Sequence, residues 1–489
     1  MYIVHIASEC APVAKVGGLG DVVYGLAGEL ARRGHTVEII LPRYDCMRHD
    51  RIRDFHVAYQ DLWVPWNSGA IRCTVWYGDV DGRHCFFIDP HSDEHFFDRG
   101  SYYGYWDDPM RMAFFSKAAL EFLVKTGKRP EVVHCHDWQT ALVPVLLYEL
   151  YQEALPHQRA CLTIHNFKHQ GTTDIHLLHA AGLGRPEYFL RADKLRDDHS
   201  HHAINLMKGG IVYANFVTTV SPHHAWEARH TEMGFGMGHT LYVHQDKFKG
   251  ILNGLDYDYW NPRTDSHVPH HYDRDSLKAK DKNRKALRQR LWLREAKKPI
   301  VAYVGRLDSQ KGVHLIRHGL FYALANEAQF VLLGSSPEMG INDYFWHLKQ
   351  ELNDNPDCHL EIGFDEDLAH LIYAGADITI VPSNFEPCGL TQLISLRYGT
   401  VPVVRAVGGL QDTVFDRDHS PKEIEKRNGF VFEHSDHAGL ESALSRAIGL
   451  WHDDPAAFRE LQLQGMAWDY SWNHPTEEYL QVYAFIRHR

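Results

Sequence analysis

Short apolar, β-branched runs alternate with helical segments through two long stretches of the chain, and this alternation restricts the fold more than any other feature. In the first stretch the runs lie at residues 2–7, 35–41, 131–135, 161–164 and 216–220, with helical periodicity over 22–33, 110–125 and 138–151. Less regular β-like runs at 71–77 and 84–88 fall between them. The second stretch has runs at 299–304, 329–333, 359–362, 378–381, 401–404 and 430–432. Strands alternating with helices of this length imply parallel sheets covered on both faces, an α/β class of fold. A chain of 489 residues is too long for one hydrophobic core. The strongly charged residues 267–298 offer little core and read as lying at a junction. Two doubly wound, Rossmann-like domains are therefore expected, at 1–252 and 253–468, with the aromatic-rich helical pattern of 469–489 packing back on the first.

A net charge of -12 without any lysine/arginine block argues against nucleic acid or an anionic membrane as partner. The first residues lack the pattern of a signal peptide and no apolar run approaches the ~20 residues of a membrane span, so a cytoplasmic (cytosolic or stromal) enzyme is expected. The eight cysteines, at 10, 46, 73, 85, 135, 161, 358 and 388, form no CxxC pair and read as reduced packing residues. The histidine pairs at 201–202, 223–224 and 270–271 read as surface or capping residues.

Ligands of open α/β sheets gather beyond the carboxyl ends of the strands, and most of these strands end in chemistry. Residues 8–21, SECAPVAKVGGLGD, make an unusually long strand-to-helix turn in which Lys15, Gly17 and Gly18 suit a phosphate. The run at 131–135 delivers His134, His136 and Asp137. Its histidines share one face, but Asp137-Trp138 breaks the HxHxDH metal pattern, so Asp137 reads as a polar group facing a ligand and no metal is expected. His165, after the next run, is either a hydrogen-bonded turn residue or a site residue. FDRGSYYGYW at 97–106 offers Arg99, Tyr102 and Tyr103 to sugar rings, or merely to packing. Residues 168–202 have weak periodicity and read as a covering flap.

In the second stretch, GRLDSQKG at 305–312 brings Arg306 and Lys311 to one helix start, a pair suited to a diphosphate. Gly334 ends the next run, and the Phe364 ring follows the one after, where it can stack on a nucleobase. Glu386 stands beside a helix N-terminus whose free amides suit phosphate, so the hydroxyls carried by that phosphate are its expected partners. Two such domains across a deep cleft form a site for a nucleotide diphosphate with a second substrate opposite. Neither GxGxxG after the first strand nor GxxxxGK[ST] occurs, which favours nucleotide-sugar transfer over hydride or phosphoryl transfer.

KVGGLGDV at 15–22, HCHDW at 134–138, TIHNFKHQG at 163–171, LNGLD at 252–256, GRLDSQKG at 305–312 and SNFEPCGLTQL at 383–393 together resemble bacterial glycogen synthase and plant starch synthase, in collinear order over nearly the whole chain. The resemblance implies a GT-B fold and retaining α-1,4-glucosyl transfer from a nucleotide-glucose, usually ADP-glucose, to the non-reducing end of a glucan. It implies that Arg306 and Lys311 bind the donor diphosphate and that Lys15 acts beside it. Asp137 and His165 contact the transferring glucosyl group, Glu386 its hydroxyls, and Phe364 the adenine. The donor side extends to Gly17, Gly18, Asp21, Asn253, Gly334, Cys388, Gly389, Leu390 and Thr391, and the acceptor side to Arg99, Tyr102, Tyr103 and Trp138. No metal or other cofactor is implied, fixed cations and helix ends standing in its place.

Ile394 stands eight residues beyond Glu386, where many retaining transferases carry a second glutamate, which favours the glycogen/starch branch over a sucrose or trehalose enzyme. His169 replaces a tyrosine common in relatives. Front-face displacement is expected over a covalent intermediate. UDP-glucose as donor, a non-catalytic or priming glucan-binding scaffold, and the oligomeric state remain open at this level.

Overall fold

A computed structural model describes residues 1–488. The chain forms two compact units, Met1–Gly254 with Trp472–Arg489, and Leu255–Ser471.

The first unit is built on β1 (Tyr2–Ile6), β2 (Thr36–Pro42), β3 (Arg53–Trp66), β4 (Gly69–Val80), β5 (Arg83–Pro90), β6 (Val132–His136), β7 (Arg159–Ile164), β8 (Thr172–Thr173), β9 (Ile204–Asn205), β10 (Phe216–Thr219) and β11 (Phe248–Gly250). Nine of these make one sheet in the order β11-β10-β7-β6-β1-β2-β5-β4-β3, while β8 and β9 pair separately. From β11 to β5 all neighbours are parallel, and β4 and β3 add an antiparallel edge. That edge departs from the all-parallel expectation. β3 went unread because its outer half alternates exposed and half-buried residues, the habit of a one-sided edge strand, instead of forming an apolar run. β1 is buried from its second residue onward, with Ile3, Val4, His5 and Ile6 all at full burial. The helix Asn473–Arg487 sends Tyr479, Tyr483 and Ile486 into this unit's core.

Two sequence expectations need correction. Residues 168–202 are no loose flap: they carry helices His176–Ala181 and Pro186–Phe189, and Leu177, Leu178, Phe189 and Leu195 join the core. The Asp197 carboxylate ties their end, accepting from the Ser200 amide at 2.7 Å and the Asn205 side chain at 2.9 Å. The charged residues 267–298, read as lying at a junction, fall inside the second unit. They include the helix Lys280–Arg290, whose buried Lys280 ammonium donates to the Tyr373 and Ala374 carbonyls and the Thr400 hydroxyl at 2.7–3.1 Å. Three oxygens compensate a charge that composition alone would place in water.

The second unit carries β12 (Ile300–Val304), β13 (Gln329–Gly334), β14 (Cys358–Ile362), β15 (Ile378–Val381), β16 (Val401–Arg405) and β17 (Phe430–Phe432), all parallel, in the order β14-β13-β12-β15-β16-β17. The order reverses between β12 and β15. A crevice opens at such a switch point because successive connections leave to opposite faces of the sheet.

Candidate active site

In the first unit the order turns between β1 and β6, with β7 next to β6. The turn after β1 is organised by a residue that sequence reading passed over. Buried Glu9 accepts from the Val16 amide at 2.7 Å and the Gly17 amide at 3.0 Å, and the Tyr103 hydroxyl donates to its other oxygen at 2.9 Å. Burial pushes the Glu9 carboxyl upward, while the two amides and Tyr103 pull it down. The Gly17 amide, expected to face a phosphate, thus already faces a carboxylate. Lys15, Val16, Gly17 and Gly18 are exposed, and Lys15 Nζ lies 2.8 Å from Asp21.

Asp137 follows β6 with φ +58, a strained conformation for a residue with a Cβ. Its Oδ1 accepts from the His165 amide at 2.6 Å and the Asn166 amide at 3.3 Å, joining the ends of β6 and β7. Burial raises its carboxyl to about 7; the two amides oppose this and the charge of Glu9 adds to it. His165 is half-buried, and desolvation lowers its imidazole to about 3, so it stands neutral.

His136 Nδ1 lies 3.2 Å from His165 Nε2, and His136 Nε2 lies 3.0 Å from His5 Nδ1. Nitrogens of His5, His134 and His136 converge within 4.8 Å, a spacing that could hold a metal ion. Both nitrogens of His134 are nevertheless engaged at 2.7 Å, by the Tyr483 hydroxyl and by Thr163 Oγ1, and His136 is engaged on both sides.

The aromatic loop makes mostly framework contacts. Arg99 holds Asp107 through two bonds of 2.6 and 2.8 Å and also donates to the carbonyls of Glu94 and His95. Tyr102 stands edge-on to Tyr44 and donates to the Cys46 carbonyl, while Tyr103 holds Glu9 and Ser8. Trp138 instead borders a cavity of about 480 Å³, shared with Asp108, Lys168, His169, Gln170, Asp197 and His199. Gly171 lies against its ring with φ +64, where a Cβ would come within 2.4 Å of the indole. Asp108 and His199 carried no motif, and only the fold brings them to Trp138. Asn253 is buried, and its Oδ1 has no partner among the described residues.

In the second unit the turns after β12 and β15 meet. Lys311 Nζ lies 2.6 Å from Glu386 Oε2, which also accepts from the Ser383 hydroxyl at 2.8 Å. Asp308 caps the turn by accepting from the Lys311 amide, and Arg306, more than half exposed, reaches back to Asp308 at 3.0 Å. Gly312, at φ +73, is needed because a Cβ there would stand 2.3 Å from the Pro382 carbonyl oxygen. Gly334 ends β13 and accepts from the Gly363 amide at 3.0 Å, and the Phe364 ring that follows is 89% exposed. Cys388 is buried, with Gly389, Leu390 and Thr391 half-buried at the start of the helix Thr391–Arg397.

Two such sheets, one with two cations and a carboxylate at its switch point, define a glycosyltransferase of the GT-B class. Residues 2–243 match the family described as starch synthase catalytic domain, and residues 284–460 match glycosyl transferases group 1. Glycogen synthase 1 of Synechococcus sp. (strain JA-3-3Ab) is 63% identical over 100% of both chains, and glycogen synthase 2 of Methylococcus capsulatus 60% over 99% of both. The catalytic domain of starch synthase IV from Arabidopsis thaliana, solved with ADP and acarbose, superposes with a TM-score of 0.97 at 44% identity, covering 100% of this chain and 99% of that one. The chain belongs to the glycogen and starch synthase family, and is a glucan-elongating glycosyltransferase. Sucrose-phosphate synthase from Thermosynechococcus elongatus, at 20% identity and a TM-score of 0.63, shares the fold.

Proposed function

We propose that this enzyme transfers glucose from ADP-glucose, with retention, to the non-reducing end of an α-1,4-glucan and releases ADP. The observation that carries this most is the Lys311–Glu386 pair at the β12/β15 switch point, with Arg306 on the same turn and an exposed Phe364 after β14. Arg306 and Lys311 bind the diphosphate and stabilise its charge as the glycosidic bond breaks. Glu386, held by Lys311 and Ser383, accepts from hydroxyls of the glucosyl unit, and adenine stacks on Phe364. Lys15 acts beside the donor phosphates, and Asp137 and His165 border the glucosyl unit. The glucan enters beside Trp138, where an indole edge and the polar walls of the cavity suit a sugar's mixed surface.

The leaving phosphate takes the acceptor hydroxyl's proton on the same face. Fixed cations perform the charge stabilisation that a metal supplies elsewhere, so no resident metal takes part, and the enzyme works in the cytoplasm without nucleic acid or membrane. Support comes from the relatives named above and from the ADP and acarbose bound to the plant starch synthase. The test compares ADP-glucose with UDP-glucose on a maltooligosaccharide primer, with and without a chelator, following nucleoside diphosphate release and chain length. Longer chains and faster release with ADP-glucose, unaffected by chelator, are expected. Preference for UDP-glucose, release without elongation, or loss of activity on chelation would overturn the corresponding part.

A further inference from the structure

Three imidazoles cross the first sheet in series. His5 lies on β1, His136 on β6 and His165 at the end of β7, three neighbouring strands, with spacings of 3.0 Å from His5 Nδ1 to His136 Nε2 and 3.2 Å from His136 Nδ1 to His165 Nε2. His5 and His136 are fully buried. His5 Nε2 has no partner among the described residues, and because His165 faces His136 through Nε2, its Nδ1 is the ring nitrogen at the other end of the series.

Counting protons limits this chain to two states. Burial keeps all three rings neutral, so each carries one N–H. If His136 donates to His165, its other nitrogen must accept from His5, which leaves a bare His5 Nε2 and puts the third proton on His165 Nδ1. If the chain runs the other way, His165 Nδ1 is bare and an N–H is stranded at His5 Nε2. The three rings change together or not at all. A buried N–H without an acceptor is rarer, and costlier, than a buried acceptor left idle, so the first state is favoured. His134, stacked on His136 at 4.3 Å, is neutral and held by Tyr483 and Thr163, and brings no competing proton into the chain.

We propose that His5 and His136 are positioning residues that hold His165 in the tautomer with its proton on Nδ1, so that His165 donates a hydrogen bond to an oxygen of the glucosyl unit. This rests on His165 bordering that unit, as proposed above. The site then prefers an oxygen that can accept at this point, and the preference is set two residues away from the sugar.

Histidine-selective 15N labelling of the full-length protein, read by long-range 1H–15N correlation, reports the His165 tautomer without substrate. His136→Leu removes the N–H that faces His165 Nε2, and His136→Asn returns an N–H near the position of Nδ1. Wild type is expected to show protonated Nδ1 on His165. His136→Leu should show mixed or reversed tautomers and a roughly tenfold lower kcat, with KM for ADP-glucose within about twofold, and His136→Asn should recover most of both. A bare His165 Nδ1 in wild type, or an unchanged tautomer and kcat in His136→Leu, overturns the relay. So does stoichiometric metal in the purified protein displaced by His136→Leu, because the same nitrogens would then be ligands. If both His136 variants misfold, the wild-type tautomer still decides by itself. Full turnover in His165→Ala would instead remove His165 from the site, an outcome separable from the relay because the tautomer is read without turnover.

Discussion

Lys311 and Glu386 are each other's principal partner, and only the carboxylate is deeply buried. Removing the lysine therefore leaves a buried charge held by Ser383 alone. Lys311→Ala should lower kcat/KM about 10²- to 10³-fold through lost charge stabilisation and also lower stability by ~2 kcal/mol, less than for a fully enclosed pair because Lys311 keeps some exposure. Adding Glu386→Gln should return the stability measured by urea unfolding and leave the activity low. Asp137 makes a second prediction. Its carboxyl is raised from 3.8 to about 7 by burial. The folded state therefore holds this proton more tightly than the unfolded one, and stability is lost as pH rises from about 3.8 through 7. An asparagine at this position would keep an oxygen for both amides and tolerates positive φ. Asp137→Asn should thus raise Tm more at pH 8 than at pH 5, by about 3 °C; an equal gain at both would contradict the shifted carboxyl.

The turn after β1 behaves as an element because Glu9 locks it from beneath. With Val16 and Gly17 amides turned to Glu9, its free means of meeting an anion centre on Lys15, whose Asp21 partner is on the exposed surface. Lys15→Ala should leave the fold and ADP affinity close to wild type and lower turnover by at least tenfold, read by calorimetric titration of ADP beside initial rates. An equal loss in both would assign Lys15 to resting nucleotide binding. The corresponding turn after β12 is held differently, by the Asp308 cap and by the close pass of Gly312 under Pro382. Each turn is braced by a carboxylate accepting from its own amides, Glu9 in one and Asp308 in the other, but only the second also rests on a close backbone pass, and both read in sequence as glycine-flanked lysine turns.

At the scale of the whole molecule, the buried imidazoles make the fold sensitive to acid. His5, His134, His136 and His165 are all lowered by desolvation, the first and last to about 3. Each contributes stability that is present above the unfolded value of 6.5 and is lost as pH falls toward the folded one, because the unfolded chain takes up the proton first. Asp137 and Glu9, both raised by burial, act in the opposite sense over part of that range, but they are two groups against four. Thermal melts should show Tm falling steadily below pH 6.5, and His5→Leu should flatten the slope; a Tm independent of pH between 6.5 and 4 would contradict the burial of these rings as neutral species.

The repeated apolar runs and the strand-end motifs were enough to place both parallel sheets, because a strand covered on two faces must be apolar along its length and a ligand turn must carry its own charges. Local sequence could not show β3, which alternates like a solvated edge, or Lys280, whose charge is buried only because the Tyr373, Ala374 and Thr400 oxygens meet there. Nor could it show that Glu9 faces two amides of its own turn, that Asp108 and His199 reach Trp138, or that His5 and His165, 160 positions apart in the sequence, stand at two ends of one hydrogen-bonded chain. Covalent neighbours and periodicity determined which chemistry each strand end carries. Strand order and packing decided which of those groups touch, since hydrogen bonds and ion pairs depend on distances of about 3 Å that only the tertiary structure sets.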